Sequence, residues 1–347
     1  MAFIDTVVND FGKINNAGDA NALFLKIFSG EVLASFLRET VALPKVMRRS
    51  IANGKSVQFP LLGRQTANYH TPGERLAGTN IYSGEKTIVI DTKPLVSSVF
   101  ISEIDEAKSH FEVRSQYSFE NGQAIAWKLD RQLFNLMIAA ARQGRQLQGT
   151  EDAITRGTVL YNSSMKSDAL TLAAGLFKAA EILDTKSIPQ NDRVCFLAPA
   201  QYYMLAQNTT AINKEFGGMG SYSDGTIVKI AGIELVKTIN LPTGDSQDTV
   251  HAQYSSRHVA DLAGVVVQKD AVGLVDLIGV TSDMEERKSE LGVLMFSKYL
   301  KGADWLRPAA AIELTAKTNW TETASEDDDW TYSDNAVLPL NVKQALT

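Results

Sequence analysis

Between Leu23 and Leu37 apolar side chains recur at steps of three and four. Leu23, Phe24, Ile27, Phe28, Leu33, Phe36 and Leu37 make one stripe, which predicts an amphipathic helix after a polar, irregular start that reaches Asp19. Gly30 interrupts the stripe and marks a candidate break. Its few cations on the polar side disfavour a membrane as the surface it packs on. Packing on the chain's own core and on a partner subunit both stay open. Gln58 to Leu62 then reads as a short strand with Pro60 near its end, and Lys86 to Asp91 as a second. About twenty residues rich in Gly, Asn, Thr and Pro lie between them, which describes a long hairpin rather than a tight turn. Loops of that length usually serve something outside the core, so this one is a candidate contact element.

Ser102, with Asp105 three residues on, has the form of a capping box and predicts the start of a helical region. From Ser115 to Arg145 only Gly122 and Gly144 oppose a helix, while Phe119, Trp127, Leu129, Leu133, Phe134, Leu136, Met137 and Ile138 supply apolar faces. Thirty residues at ~1.5 Å each reach about 45 Å, so such a helix needs a long surface to rest on. Arg145 to Ser167 reads as a loop. Beyond it come a helix from Asp168 to Leu183, a buried strand from Arg193 to Leu197, and a helix from Pro199 to Gln207 with proline in its first turn. Asn208 to Gly225 is rich in glycine and polar residues. Thr226 to Ile239 reads as strands around Gly232, and Thr243 to Arg257 as irregular chain. Gly264 to Gln268, Gly273 to Thr281, Leu291 to Tyr299 and Ala310 to Thr315 read as further strands, with charged Asp283 to Glu290 as a turn or helix between two of them. The predicted class is α+β, without internal repeats.

At 347 residues the chain has room for about two domains. Its 44% hydrophobic and 21% charged residues are ordinary for a protein with a core. No apolar run approaches the ~20 residues of a spanning helix, and MAFIDTVVND lacks the basic, then apolar pattern of a secretory signal. A lone cysteine, Cys195, makes no internal disulfide and no zinc site. These features together suggest a soluble intracellular protein. The net charge of -6 is uneven: Glu313 to Thr347 carries seven acids against Lys317 and Lys343, leaving the preceding residues near neutral. A near-neutral body argues against general affinity for nucleic acid, which requires basic surface. Arg38, Lys45, Arg48, Arg49, Lys55 and Arg64 form the one basic concentration, which is either a surface for phosphate or an acidic partner, or simply a solvated face.

Catalytic patterns are not found. There is no G-x-S-x-G elbow, and Cys195 sits within an apolar strand pattern where a thiol is an inert filler. Gly217-Gly218-Met219-Gly220 lacks the remaining features of a phosphate loop, since Ser223 stands where the last glycine belongs and no Lys-Ser or Lys-Thr follows; it reads as a mobile loop. The histidines are His70, His110, His251 and His258. Glu106 and His110 would share a helix face, but two ligands do not make a site. Glu326-Asp327-Asp328-Asp329 lacks the spaced oxygens of a calcium loop and reads as a solvated tail. No cofactor is expected.

Four stretches carry a specific resemblance. Ala22-Leu-Phe-Leu-Lys-Ile-Phe-Ser-Gly-Glu-Val-Leu33, Ser56-Val-Gln-Phe-Pro-Leu-Leu-Gly-Arg64, Val113-Arg-Ser-Gln-Tyr117 and Ser297-Lys-Tyr-Leu-Lys-Gly-Ala-Asp-Trp-Leu-Arg-Pro-Ala-Ala-Ala311 resemble, in order, the major capsid proteins of short-tailed bacteriophages of the Autographiviridae type. The resemblance implies a Hong Kong 97-like capsid fold. On that template residues 1–55 are an N-terminal arm, 56–98 an extended hairpin loop, 99–167 a peripheral domain with a long spine helix, and 168–272 an axial domain. Residues 273–315 return as strands of the peripheral domain, and 316–347 form an acidic C-terminal tail.

The same resemblance implies a non-enzymatic shell protein that assembles as hexamers and pentamers around double-stranded DNA. Arg64, Tyr69, His70, Glu74 and Arg75 on the loop are expected to contact a neighbouring subunit. Glu285, Glu286, Arg287 and Lys288 are expected between capsomers, and Lys214, Glu215 and Phe216 at the capsomer axis. Expected partners are further copies of the chain, a separate scaffolding protein, a portal protein at one vertex and the packaged DNA through weak contacts, with no membrane. The expected location is the virion capsid, reached from the host cytoplasm. Two rivals are an encapsulin-type nanocompartment shell and a soluble α+β metal-dependent enzyme.

Overall fold

Apolar runs with a helical period and runs of β-branched residues alternate along the chain, and a computed structural model shows how each is used. It describes residues 22–62, 67, 69–73, 75, 78, 83–102, 104, 113–144, 156–207, 220–221, 226–227, 229–245, 248, 250–256, 259–316 and 341–343. In chain order these form α1 (Ala22–Glu39), β1 (Met47–Ser50), β2 (Ser56–Leu62), β3 (Ser83–Val89), β4 (Leu95–Ser102), α2 (Val113–Arg142), β5 (Thr158–Tyr161), α3 (Ala169–Thr185), β6 (Arg193–Leu197) and α4 (Pro199–Gln207). Then follow β7 (Gly220–Ser221), β8 (Thr226–Ile227), β9 (Lys229–Ile230), β10 (Ile233–Lys237), β11 (Leu262–Gln268), β12 (Val272–Arg287), β13 (Gly292–Trp305), β14 (Ala311–Thr315) and β15 (Asn341–Lys343). Two compact units result. One holds α1, β4, α2 as far as Leu129, and Ile278–Lys301 of β12 and β13; the other holds the remaining described elements.

In the first unit α1 is one continuous helix, so Gly30 does not break it; the glycine is exposed and a Cβ there would meet nothing within 4 Å. Its buried line is Phe28, Val32, Ser35 and Phe36, whereas Leu33 and Leu37, expected on the buried stripe, stand in solvent. The line runs through serine because α2 comes too close for anything larger. A Cβ on Gly122 of α2 would lie 2.5 Å from the Val32 carbonyl oxygen, and Ser35 Oγ donates to the Phe119 carbonyl at 2.8 Å. Phe28, Val32, Ile101 and Met295 form the core, with Val99, Tyr117, Val280, Met284 and Val293 packed around it. β4 pairs antiparallel with β13, Leu95 opposite Tyr299 through Ser102 opposite Gly292. Ser102 is the last residue of β4, and Ile104, two residues on, is helical; Asp105, the expected capping partner, lies outside the described residues.

A seven-stranded sheet with the order β15-β5-β14-β11-β6-β10-β9 organises the second unit. Its central strands β6, β11 and β14 are buried along their whole length, the signature of strands covered on both faces. Cys195 is fully buried in β6, where desolvation pushes its thiol pKa up, as an inert filler should behave. The Phe134 and Phe196 rings meet edge to face at 4.9 Å and join α2 to this sheet. Asp168 caps α3, accepting from the Leu170 and Thr171 backbone N–H groups at 3.3 and 3.0 Å. β9 and β10 form a hairpin whose connecting residues, Ala231 and Gly232, have φ of 51° and 78°, as a two-residue turn between antiparallel strands demands.

Three expectations change here. Residues 158–161, read as loop, are β5, which pairs parallel with β14. Glu313, counted with the acidic tail, is a fully buried member of β14. Asn341–Lys343, within that tail, form β15 and pair antiparallel with β5.

Candidate functional site

The hairpin between β2 and β3 is the element expected to contact another subunit, and its base shows how it is held. β2 and β3 pair from Ser56 opposite Val89 to Leu62 opposite Ser83. Alternation puts Val57, Phe59, Ile88 and, just past β3, Ile90 on the buried side. Pro60 is tolerated because this ribbon has only two strands and hence no second ladder to serve. Opposite Phe59 stands Lys86, whose Nζ is 2.8 Å from an Asp304 carboxylate oxygen and 3.5 Å from the centre of the Trp305 ring. Ion pair and cation–π contact together fix this cation on the inner side.

The stretch from Gly302 to Ala311 builds the seat for that base. A Cβ on Gly302 would fall 2.4 Å from the Val89 carbonyl oxygen and 2.9 Å from Ile90 Cα, and one on Gly273 would strike Leu306 and Ile88. Gly302 is required by close approach to backbone, whereas the atoms nearest Gly273 are side-chain carbons. Replacing Gly302 with alanine is expected to lower stability by about 1–3 kcal/mol, because the obstructing atoms are backbone and cannot rotate aside. Urea unfolding checks the loss, and tryptic cleavage at exposed Arg75 should accelerate as the hairpin loosens.

Where β3 ends, Asp91 accepts from the Tyr254 hydroxyl at 2.8 Å, and the same hydroxyl accepts from the Ala303 backbone N–H at 3.2 Å. Tyr254 is buried, and its backbone carbonyl accepts from Asn135 Nδ2 of α2 at 2.7 Å. Burial first, then the neighbouring Asp91 charge, raise the tyrosine pKa, so its hydroxyl stays a donor. His251 Nδ1 lies 4.0 Å from Asp91. Among the described residues no group of three or more His, Cys, Asp or Glu could hold a metal ion, and no helix is long and apolar enough to cross a membrane.

Away from its base the described residues of the hairpin, 67, 69–73, 75 and 78, are exposed. Tyr69, His70 and Arg75 all stand in solvent, and Tyr69 is as open as in an extended peptide at 107%. Arg64 and Glu74 lie outside the described residues, as do Lys214, Glu215 and Phe216. The second expected surface takes a different form from the turn or helix foreseen. Glu285, Glu286 and Arg287 belong to β12, which continues as a strand to Arg287, and only Lys288 opens the turn. Val280, Ser282 and Met284 face inward and alternate with exposed Thr281, Asp283 and Glu285, so a period of two beneath the charges is what a charge count overlooks.

Much of the basic concentration has partners within the chain. Lys45 Nζ is 2.6 Å from Glu234, Arg48 pairs with buried Asp276, and Arg38 and Arg49 lie 5.9 Å from the rings of Phe119 and Phe59. These cations hold the fold, which favours the reading without a phosphate ligand.

Residues 58–315 match the Gp10A-like major capsid protein family. The chain is 30% identical over 319 residues to the major capsid protein of Escherichia phage T7, covering 85% of this chain and 92% of that one. It is 29% identical over 324 residues to the major capsid protein of Enterobacteria phage T3, covering 86% and 93%. The capsid structure of cyanophage P-SCSP1u superposes with a TM-score of 0.71 at 36% identity, over 80% of this chain and 88% of the other. The capsid of bacteriophage PhiM1 shares the fold at a TM-score of 0.65 and 14% identity. The chain thus belongs to the Gp10A-like major capsid protein family, as a structural, non-enzymatic component of a bacteriophage shell with the Hong Kong 97-like fold.

Proposed function

We propose that copies of this chain form hexamers and pentamers that close into an icosahedral shell around double-stranded DNA. Assembly takes place in the host cytoplasm with a separate scaffolding protein, and a portal protein occupies one vertex. One observation carries this reading: the β2–β3 hairpin is clamped at its base by Gly302, Asp304 and Trp305 while Tyr69 beyond the base is wholly exposed. Such an element gains its burial only from another molecule. The proposed divisions are the arm 1–55, the extended loop 56–98, the peripheral domain 99–167 with 273–315, the axial domain 168–272 and the tail 316–347. Contacts are assigned to Arg64, Tyr69, His70, Glu74 and Arg75 within a capsomer. Glu285, Glu286, Arg287 and Lys288 act between capsomers, and Lys214, Glu215 and Phe216 at the axis. A near-neutral body holds DNA weakly, consistent with a container that must release it.

Negative-stain microscopy of the chain co-expressed with its scaffolding protein tests this. Closed shells of uniform size are expected, and a monodisperse monomer beside folded scaffold overturns the reading. Removing the Tyr69 ring is a sharper probe. Tyr69→Ala should raise the critical concentration for shell formation about tenfold, since a buried aromatic anchor is commonly worth more than ~1 kcal/mol at an interface. Its unfolding midpoint should match wild type, because the ring touches nothing within its own subunit to lose; equal thresholds would remove Tyr69 from the contact.

A further inference from the structure

Asparagine followed by glycine occurs twice in the chain, at Asn53–Gly54 and at Asn121–Gly122. The pair is reactive because the glycine N–H, unshielded by a side chain, can reach the asparagine side-chain carbonyl carbon. The fold treats the two copies differently. Asn121 is 2% exposed on α2, its Oδ1 accepts from Ser97 Oγ at 2.9 Å, and Gly122 has Val32 and Ser35 of α1 against it. The Gly122 N–H is committed to the helix ladder. Asn53 and Gly54, by contrast, stand exposed in the bend between β1 and β2. Gly54 has a φ of 133°, which glycine alone adopts freely, and a Cβ there would meet nothing closer than 3.7 Å. Among the described residues no hydrogen bond engages the Asn53 side chain or the Gly54 N–H.

The bend is pinned on both sides. The Ile51 N–H donates to the Asp276 carbonyl at 2.9 Å, and the Lys55 carbonyl accepts from the Ile90 N–H at 2.9 Å, where the hairpin begins. We propose that Asn53 is a site of spontaneous deamidation, a covalent modification at the entry to the hairpin that needs water and no enzyme. The Gly54 nitrogen attacks Cγ of Asn53; the new N–Cγ bond closes a succinimide ring, and the Cγ–Nδ2 bond breaks. The departing amide nitrogen takes the Gly54 proton and leaves as ammonia. Water then adds to either ring carbonyl carbon. Opening at Cγ gives aspartate. Opening at the backbone carbonyl gives isoaspartate, whose main chain runs through the former side chain and is longer by a methylene carbon. Either product places a carboxylate close in sequence to Arg49 and Lys55, within a basic stretch that has no acid from Lys45 to Arg64. The proposal stands independently of the shell-forming reading.

Tryptic mapping of the full chain tests this, because each pair falls in its own peptide, Ser50–Lys55 and Ser115–Lys128. After incubation of the folded protein at mildly alkaline pH, the Ser50–Lys55 peptide should gain the mass of an amide-to-acid conversion. Chromatography should separate its aspartate and isoaspartate forms. The Ser115–Lys128 peptide should convert about a hundredfold more slowly, since α2 must open locally before Gly122 can attack. In urea the two should convert at comparable rates, so that the fold, and not the neighbouring sequence, selects Asn53. Asn53→Gln should abolish the early conversion, as the longer side chain closes a ring poorly. A folded chain whose Ser50–Lys55 peptide stays unmodified while the urea-treated chain converts overturns the proposal. Equal rates for both peptides in the folded protein overturn it as well, because the exposed bend would then select nothing.

Discussion

Glu313→Ala is expected to destabilise the subunit by about 3–5 kcal/mol, the largest single loss foreseen for this chain. Glu313 is wholly buried in β14, and Arg142, in the last turn of α2, meets it through two bonds: Nε to Oε2 at 2.6 Å and Nη2 to Oε1 at 2.7 Å. The arginine side chain is only 13% exposed, so removing the carboxylate leaves a guanidinium largely out of water without its bidentate acceptor. A basic residue in the final turn also suits the negative end of α2, so the pair joins a helix terminus to the middle of the sheet. Urea unfolding followed by far-UV circular dichroism measures the loss. The paired replacement Arg142→Met with Glu313→Leu should recover most of it, because two apolar side chains of similar size avoid the desolvation that the ion pair must offset. If the double variant is as unstable as Glu313→Ala, packing rather than the charge carries the effect.

The second large effect depends on pH. Asp130 is fully buried on α2, and its carboxylate accepts from the backbone N–H groups of Val41 at 2.8 Å and Ala42 at 3.2 Å and from Asn240 Nδ2 at 3.3 Å. Burial works to raise its pKa and the three donors to lower it; burial is the larger influence and brings it from 3.8 to about 6. The folded state thus holds this proton more tightly than the unfolded chain does. The resulting stability is complete below pH 4 and is lost as pH rises through about 6. At ~1.4 kcal/mol per unit, wild type should lose about 2 kcal/mol relative to Asp130→Asn between pH 4 and pH 7. Asparagine cannot titrate, so the difference between the two proteins isolates this group from every other carboxylate. Denaturation series at pH 4, 5, 6 and 7 would reveal it, and a difference that stays flat across that range would contradict the assignment. At all pH values Asp130→Ala should be less stable than wild type, since Val41, Ala42 and Asn240 lose a common acceptor in a buried place.

Both sites illustrate how far a linear reading reaches. Periodicity located α1, α2, α3, α4 and β6 within a few residues, because local apolar patterns determine which face of an element avoids water. The hairpin was legible from two strand-like runs flanking a polar excursion, and the family from four stretches in order. What pattern alone left open was decided by partners distant in the chain. Val32 displaced Leu33 from the buried line of α1 because Gly122 of α2 brings a second helix close. Glu313 was placed in a strand and counted among the acids of the C-terminal segment; only Arg142, 171 residues away, accounts for its full burial. The run from Asp283 read as a turn because its charges outnumber its apolar residues, yet Met284 at alternate spacing faces a core and draws the strand on to Arg287. Gly302, Asp304 and Trp305 appeared first as a family motif; only their approach to Val89 and Lys86 explains why a glycine, an acid and an aromatic ring stand in that order.

The sequence by itself thus determined most of the elements, the α+β class and the family, since these depend on local periodicity and on the order of short stretches. Tertiary structure alone decided which charges are buried in pairs, which glycines mark close approach and which of two Asn-Gly pairs stands exposed in a bend, since burial and distance belong to the folded arrangement and not to position along the chain.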